Sequence, residues 1–321
     1  MKTLFIILYN FFAGTICLIF GLNQITCGLE RANTGLLKKI LEKYTGNIIT
    51  SFIAGTIITA LVQSSAAVTV ITVSLVNAGL MSLYQAMGII YGANIGTTIT
   101  AQLMSINLTK YALPVLITGL VIRAISRKKN IRNIGITITG LGLLFLGINI
   151  LHSGVPILKK NPVIFNIFSK YGCNPYIGLI VGMIATMLVQ SSSATVGLTI
   201  VLFNGGIIGL EGAIGLTLGD NIGTCISAQI ASIGTSLPAR QTAWAHTIYN
   251  IIGSIIALIF ISPFTRLVEY ITNFIGQDST HLVANAHTIF NILSALLFFP
   301  FTRYFVYFIE WIVHVPDKNS H

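Results

Sequence analysis

Two short strings of amides and hydroxyls interrupt otherwise apolar sequence. Gln63-Ser64-Ser65-Ala66 follows Leu61-Val62, and Gln190-Ser191-Ser192-Ser193 follows Leu188-Val189. About thirty residues after each comes a second shared string, Gly92-Ala93-Asn94-Ile95-Gly96-Thr97 and Gly219-Asp220-Asn221-Ile222-Gly223-Thr224. The copies are 127 residues apart at Gln63 and Gln190 and again at Asn94 and Asn221, so the intervening stretch has no net gap. Polar side chains inside apolar helices cost free energy unless they bind something. From Gly46 to Ile106 there is no Asp, Glu, Lys or Arg, and the matching stretch of the second copy holds only Glu211 and Asp220. The duplicated chemistry is therefore neutral. Carbonyl and hydroxyl oxygens suit a small hard cation held weakly. Hydroxyls and the free N–H groups of helix N-termini suit an oxyanion. The competing explanation is that serine and glycine only allow close helix packing.

The elements that carry these strings are apolar helices. The chain has 321 residues, 54% hydrophobic and 8% charged, with mean hydropathy +0.85. A soluble domain carries about 25% charged residues. Apolar stretches of about twenty residues recur along the chain, each long enough for a hydrocarbon core of about 30 Å. Period-two alternation is absent, which argues against a closed barrel. The expected fold is an all-α polytopic membrane protein. The net charge of +10 lies between apolar segments and not on one stripe, so it sets orientation and gives no nucleic-acid signal. The run from Met1 to Cys27 resembles a signal peptide, but Gly14–Asn23 has an internal counterpart in Gly140–Asn149, so a retained helix is expected. Cys17, Cys27, Cys173 and Cys225 form no CxxC pattern and read as small apolar residues.

Segment 46–79 decides the topology. Each arm flanking the serines has about 16 residues, or roughly 24 Å as a helix, which is short of a full crossing. A re-entrant hairpin with its tip in mid-membrane fits this length; two short helices that both cross is the alternative. The serines then open the second arm and lie at a helix N-terminus. Segment 83–106 is expected to break at Gly92–Thr97, which would put Asn94–Thr98 at another N-terminus. Four such N-termini, two per copy, would converge on one anion. With a re-entrant hairpin each repeat crosses three times, and an odd number inverts the second repeat, an arrangement typical of secondary transporters. The expected division is residues 1–130 as repeat one, 131–264 as inverted repeat two, and 265–321 as an added transmembrane segment and tail. With the N-terminus outside, twelve basic residues fall on the cytoplasmic side: Arg31, Lys38, Lys39, Lys43, Arg123, Arg127, Lys128, Lys129, Arg132, Arg240, Arg303 and Lys318. Six fall outside: Lys2, Lys110, Lys159, Lys160, Lys170 and Arg266. That distribution obeys the positive-inside rule and puts the C-terminus in the cytoplasm.

The paired QSS strings with GxNIGT downstream resemble the type II sodium-dependent phosphate cotransporter family. The resemblance covers about Leu4 to Phe264, and the strings Ala239–Asn250 and Ala286–Asn291 also fit. Many bacterial members carry a soluble regulatory domain after the membrane part; with the sequence ending at His321, the expectation is the membrane part alone. The resemblance implies inorganic phosphate bound at Ser64, Ser65, Ser191, Ser192, Ser193 and Thr98. It implies sodium ions, as co-substrate and not as a cofactor, held by Gln63, Gln190, Asn94, Thr97, Asn221 and Thr224. Asp220 stands where the first copy has Ala93. It is either a sodium ligand beside Asn221 or an N-cap of the half-helix that would follow the break. The first serine string is one serine shorter than the second, so an asymmetric anion site is expected.

The implied activity is sodium-coupled phosphate symport by alternating access across a bacterial cytoplasmic membrane. The alternatives are a sodium-coupled carrier of another oxyanion or a carboxylate, since no Arg fork demands phosphate, and an anion channel. An enzyme is disfavoured, because no nucleophile–base pair or metal cluster is present in the sequence. The partners expected are phosphate, sodium and the bilayer, with no nucleic acid; homo-oligomerisation stays open. His246 and His287, each four residues before an Asn, are expected to bond a neighbouring helix. His152, His281, His314 and His321 read as interfacial, as do Trp244, Trp311 and the aromatic run Phe301–Phe308. Asn23 and Asn149 are expected to be helix-packing contacts.

Overall fold

The structure, a computed structural model, describes residues 2–43, 46–106 and 108–314; the side chains of 2–4 and 32–43 lie outside the description. The expected charges at Lys2, Lys38, Lys39, Lys43 and Lys318, and the reading of His321, fall outside the described residues. Among the described residues every regular element is helical. The first eight helices are α1 (Lys2–Lys43), α2 (Ile48–Val62), α3 (Ser65–Asn77), α4 (Leu83–Ser105), α5 (Ala112–Ile125), α6 (Lys129–Lys159), α7 (Pro162–Tyr171) and α8 (Pro175–Val189). They are followed by α9 (Ser192–Asn204), α10 (Leu210–Thr224), α11 (Ile226–Ala231), α12 (Leu237–Ile259), α13 (Ile261–Phe274), α14 (Leu282–Phe298) and α15 (Thr302–Ile312). Four stretches are long and apolar enough to cross a membrane: Phe5–Arg31, Lys129–Lys159, Leu237–Ile259 and Ser279–Ile312. Two bent pairs, 83–105 with 109–125 and 162–171 with 175–189, bring the count to six if each is one span. This is the all-α polytopic membrane architecture that the composition requires.

α1 and α6 run antiparallel in close contact. A Cβ at Gly21 would lie 2.5 Å from the backbone N of Leu144, and one at Gly147 would lie 2.6 Å from the N of Leu18. Small residues allow the helices to meet at this distance, and lipid supplies no competing hydrophobic drive. α1 continues to Lys43, well beyond the end near residue 26 that hydropathy suggests, because helix propensity outlasts apolarity there.

α2 and α4 pack side by side and parallel, with Gly88 against Ile48, Gly92 against Phe52 and Gly96 against Thr56. α3 must therefore return to the face from which α2 entered. The hairpin tip reaches only the level of Thr100, whose Oγ1 donates to Gln63 Oε1. α4 runs five residues further, or about 8 Å. The re-entrant hairpin is thus the form adopted, and not two full crossings. α8 and α10 repeat the arrangement, with Gly219 against Leu179 and Gly223 against Met183.

The expected break at Gly92–Thr97 does not occur. α4 is continuous from Leu83 to Ser105, and in the second copy the interruption falls later, at Cys225 between α10 and α11. The glycines of GxNIGT serve close approach and do not break the helix. A Cβ at Gly92 would lie 2.1 Å from the carbonyl oxygen of Phe52, and one at Gly219 1.9 Å from that of Leu179. Asn94–Thr98 is consequently mid-helix, with its backbone N–H groups engaged in the α-helical ladder. Two hairpin N-termini, those of α3 and α9, remain of the four expected.

α12 and α14 flank this core with related strings, Ala245-His246-Thr247-Ile248-Tyr249-Asn250 and Ala286-His287-Thr288-Ile289-Phe290-Asn291. Gln229 Nε2 donates to Thr247 Oγ1 at 2.7 Å, and Gln102 Nε2, 127 residues earlier, donates to Thr288 Oγ1 at 3.0 Å. α14 therefore gives the first copy the contact that α12 gives the second. α5 packs on α6 instead, through Gly119 against Thr139.

Candidate functional site

The two hairpin tips are built alike. Gln63 (φ 59°, ψ 27°) and Gln190 (φ 54°, ψ 28°) end α2 and α8 in the left-handed conformation, and among the described residues no other non-glycine has positive φ. A β-carbon in that region costs about 1–2 kcal/mol, so both turns store strain where the chain reverses. Ser64 and Ser191 are then the N-caps of α3 and α9. Their hydroxyls accept from the N–H of Ala67 at 3.2 Å and of Ala194 at 3.3 Å. The next two N–H groups of each helix, on Ser65 and Ala66 and on Ser192 and Ser193, have no intrahelical acceptor. Both N-termini project their positive dipole ends into the same space.

That space is a cavity of about 110 Å³ lined by Gln63, Ser64, Ser65 and Ala66 from one tip and Gln190, Ser191, Ser192 and Ser193 from the other. Thr97 of α4, Thr224 of α10, Ser227 of α11 and Leu22, Asn23 and Thr26 of α1 complete most of its wall. Every lining residue is formally neutral. Thr97 Oγ1 donates to the Ala93 carbonyl at 3.0 Å and Thr224 Oγ1 to the Asp220 carbonyl at 2.9 Å, so their lone pairs remain for a cation. The cavity can take a small oxyanion against two helix N-termini and a hard cation against amide and hydroxyl oxygens.

Nine of the thirteen expected ligands thus line one cavity: Gln63, Ser64, Ser65, Thr97, Gln190, Ser191, Ser192, Ser193 and Thr224. The other four do not line it. Thr98 Oγ1 donates to the Ile95 carbonyl at 2.8 Å. Asn94 Nδ2 donates to Asn250 Oδ1 at 2.8 Å, tying α4 to α12. Asn221 Nδ2 donates back to the Thr217 carbonyl at 2.9 Å. Asp220 is fully buried one turn behind Thr224, where it accepts from Thr186 Oγ1 at 2.7 Å through Oδ1. Its Oδ2 has no hydrogen-bond partner. It sits in mid-helix and caps nothing, which removes the N-cap explanation. At the equivalent position Ala93 leaves Thr59 Oγ1 without a partner.

Asn23, Thr26 and Ser227 line the cavity although sequence reasoning did not select them. Asn23 is exposed and is not a packing contact; its signal was the internal match with Asn149. The histidines also differ from expectation. Asn250 Nδ2 and Asn291 Nδ2 donate to the carbonyls of His246 and His287 at 3.2 and 2.9 Å. Neither His246 ring nitrogen, nor His287 Nδ1, has a hydrogen-bond partner.

Comparison with known proteins matches the chain to the Na+/Pi-cotransporter family over residues 17–153 and 161–276. The chain is 30% identical over 276 residues to "Uncharacterized protein YqeW" of Bacillus subtilis (strain 168), covering 86% of this chain and 90% of that protein. It is 27% identical over 265 residues to "Putative inorganic phosphate export protein YjbB" of Salmonella typhimurium, covering 82% of this chain and 48% of that protein, about half its length. Over 96 residues it is 43% identical to "Sodium-dependent phosphate transport protein 2B" of Rattus norvegicus, 29% of this chain and 14% of that protein. No solved structure matches the chain.

Proposed function

The chain belongs to the Na+/Pi-cotransporter family, and we propose that it is a sodium-coupled symporter of inorganic phosphate working by alternating access. The observation that carries this reading is the meeting of two hairpin tips of like build on one neutral cavity. Phosphate binds between the N-termini of α3 and α9, held by Ser65, Ser192, Ser193 and the N–H groups beside them. Sodium takes oxygens from Gln63, Gln190, Thr97 and Thr224, and its charge offsets that of the anion, which a cavity without cationic side chains otherwise lacks. Asp220 lies buried one turn behind Thr224 with one unpartnered carboxylate oxygen, and a bound sodium ion would hold it ionised, adding negative charge to that side. Residues 1–130 and 131–264 act as inverted halves, and 265–321 adds the helices that brace them. The N-terminus lies outside and the C-terminus in the cytoplasm, from the excess of basic residues in the loops on that side.

The name of the relative matched over 48% of its length speaks for a second reading, net phosphate export. Both readings use the same site and differ in the direction of flux. Purified protein in liposomes, given radiolabelled phosphate under inward sodium, potassium or choline gradients, tests the proposal. Accumulation above equilibrium under sodium alone is expected. Equal uptake in sodium and choline would end the coupling claim, and preferential efflux under an outward phosphate gradient without sodium would favour export.

A further inference from the structure

A second cavity, of about 340 Å³, opens among the ends of α4, α6 and α9. Met104, Ser105, Asn149, His152, Ile200 and Asn204 are among its lining residues. Its wall on α6 repeats the wall of the central cavity on α1. Ile148, Asn149 and His152 each follow Leu22, Asn23 and Thr26 by 126 residues, and the antiparallel packing of α1 on α6 puts the two sets toward opposite faces. Asn23 and Asn149 are both exposed. The inverted arrangement thus carries two related chambers, one at each face, but only the one at Asn23 is continuous with the serine tips.

The difference lies in the second arms of the hairpins. Both arms pack against α4, but α9 also meets α1 and α6, whereas its counterpart α3 meets α11 and α12. At the seal α9 carries Gly197, where a Cβ would lie 2.9 Å from both Leu18 Cδ1 and Met104 Sδ. Leu18 and Met104 are buried. The position 127 residues earlier, on the arm that leaves its chamber open, is Val70. Ile200, in the second cavity, follows Ser193 by seven residues, about 10 Å along the helix, with Gly197 between them.

We propose that the second cavity is the antechamber of the same permeation route on the opposite face, holding the same hydrated oxyanion. The contact of Gly197 with Leu18 and Met104 is the closed gate between it and the central site. In the alternate state α9 leaves α1 and α3 closes in its place. Neutral amide donors on Asn149 and Asn204 suit a hydrated anion in transit, with no fixed charge to trap it. This inference rests on the alternating-access part of the proposed function.

The test uses single cysteines in a C17A/C27A/C173A background of the full chain, labelled with a membrane-impermeant maleimide in cells and in inverted vesicles. Asn204→Cys reports the face of the antechamber and Ser227→Cys reports access to the central cavity. We expect the two to be labelled from opposite faces. Gly197→Val overpacks the closed gate and should move Ser227→Cys labelling toward the Asn204 face by about fivefold or more. Gly197→Ala should move it less, and folds readily because the atoms in the way are the ends of flexible side chains. Phosphate, but not an equal concentration of chloride, should slow the labelling of Asn204→Cys. Labelling of both cysteines from one face overturns the inference, as does an unchanged side ratio in monodisperse Gly197→Val and Gly197→Ala proteins. Absence of phosphate protection removes the anion from the antechamber. The side of labelling requires no sodium, so a failure of sodium-driven uptake would refute symport separately from the gate.

Discussion

The serine tips give the sharpest test of the anion site. Ser65 is the first helical residue of α3, 5% exposed, on the wall of the central cavity. Its removal leaves the cap intact, since Ser64 Oγ accepts from the Ala67 N–H, and alanine is a good helix former. Ser65→Ala should therefore fold normally and lose one hydrogen bond to a charged ligand, worth about 1.5–3 kcal/mol. At about 1.4 kcal/mol per factor of ten, phosphate Kd rises about 10- to 150-fold. Ser192→Ala should fall at the low end, because Ser193 stands beside it where the first tip has Ala66. Ala66→Ser in the Ser65→Ala background should recover part of the loss. Ser64→Ala should instead lower stability by about 1 kcal/mol through the lost cap. The assays are calorimetric phosphate binding at saturating sodium and thermal unfolding of the same preparations. Wild-type affinity in Ser65→Ala would mean that the serines serve helix packing, as would a loss of binding that tracks a loss of melting temperature.

Three further outcomes are expected. Asp220→Asn keeps the acceptor for Thr186 Oγ1 but removes the charge; a unit charge at about 4 Å is worth about 4 kcal/mol at an effective dielectric constant of 20, so apparent sodium affinity should fall about tenfold or more in sodium-titrated uptake. Unchanged sodium affinity would take Asp220 out of the ion site. Gly219→Ala sets a methyl 1.9 Å from the Leu179 carbonyl oxygen, and overpacking of this kind costs about 1–3 kcal/mol. Its thermal midpoint in detergent should drop clearly, and a wild-type midpoint would contradict the contact between α8 and α10. Cysteines at Asn130 and Asn161, at the two ends of α6, should be labelled from the cytoplasm and from outside respectively; labelling of both from one side would destroy the proposed orientation.

Much of this protein is readable from its sequence. Charge content and apolar run length fix an all-α membrane protein, because lipid leaves helices as the economical way to satisfy a backbone without period-two alternation. The constant 127-residue offset of Gln63 and Gln190 marks the paired tips, and short arms announce re-entrant hairpins. Glycine was the ambiguous letter. Gly92 and Gly219 read equally as helix breakers or as contact points, and only the neighbouring helix, pressed against their α-carbons, selects the second. The same distinction governs the ligands. Helical periodicity alone does not say which face of α4 and α10 meets the tips, so Thr97 and Thr224 could not be separated from Asn94 and Asn221 by spacing. Asn23 lies more than thirty residues from the nearest motif, and it joins the cavity only because α1 crosses beside both tips. The sequence thus determined which groups are polar within an apolar chain. Tertiary packing decided which of them face one another, because a helix offers every side chain a direction and only its neighbours make one direction the site.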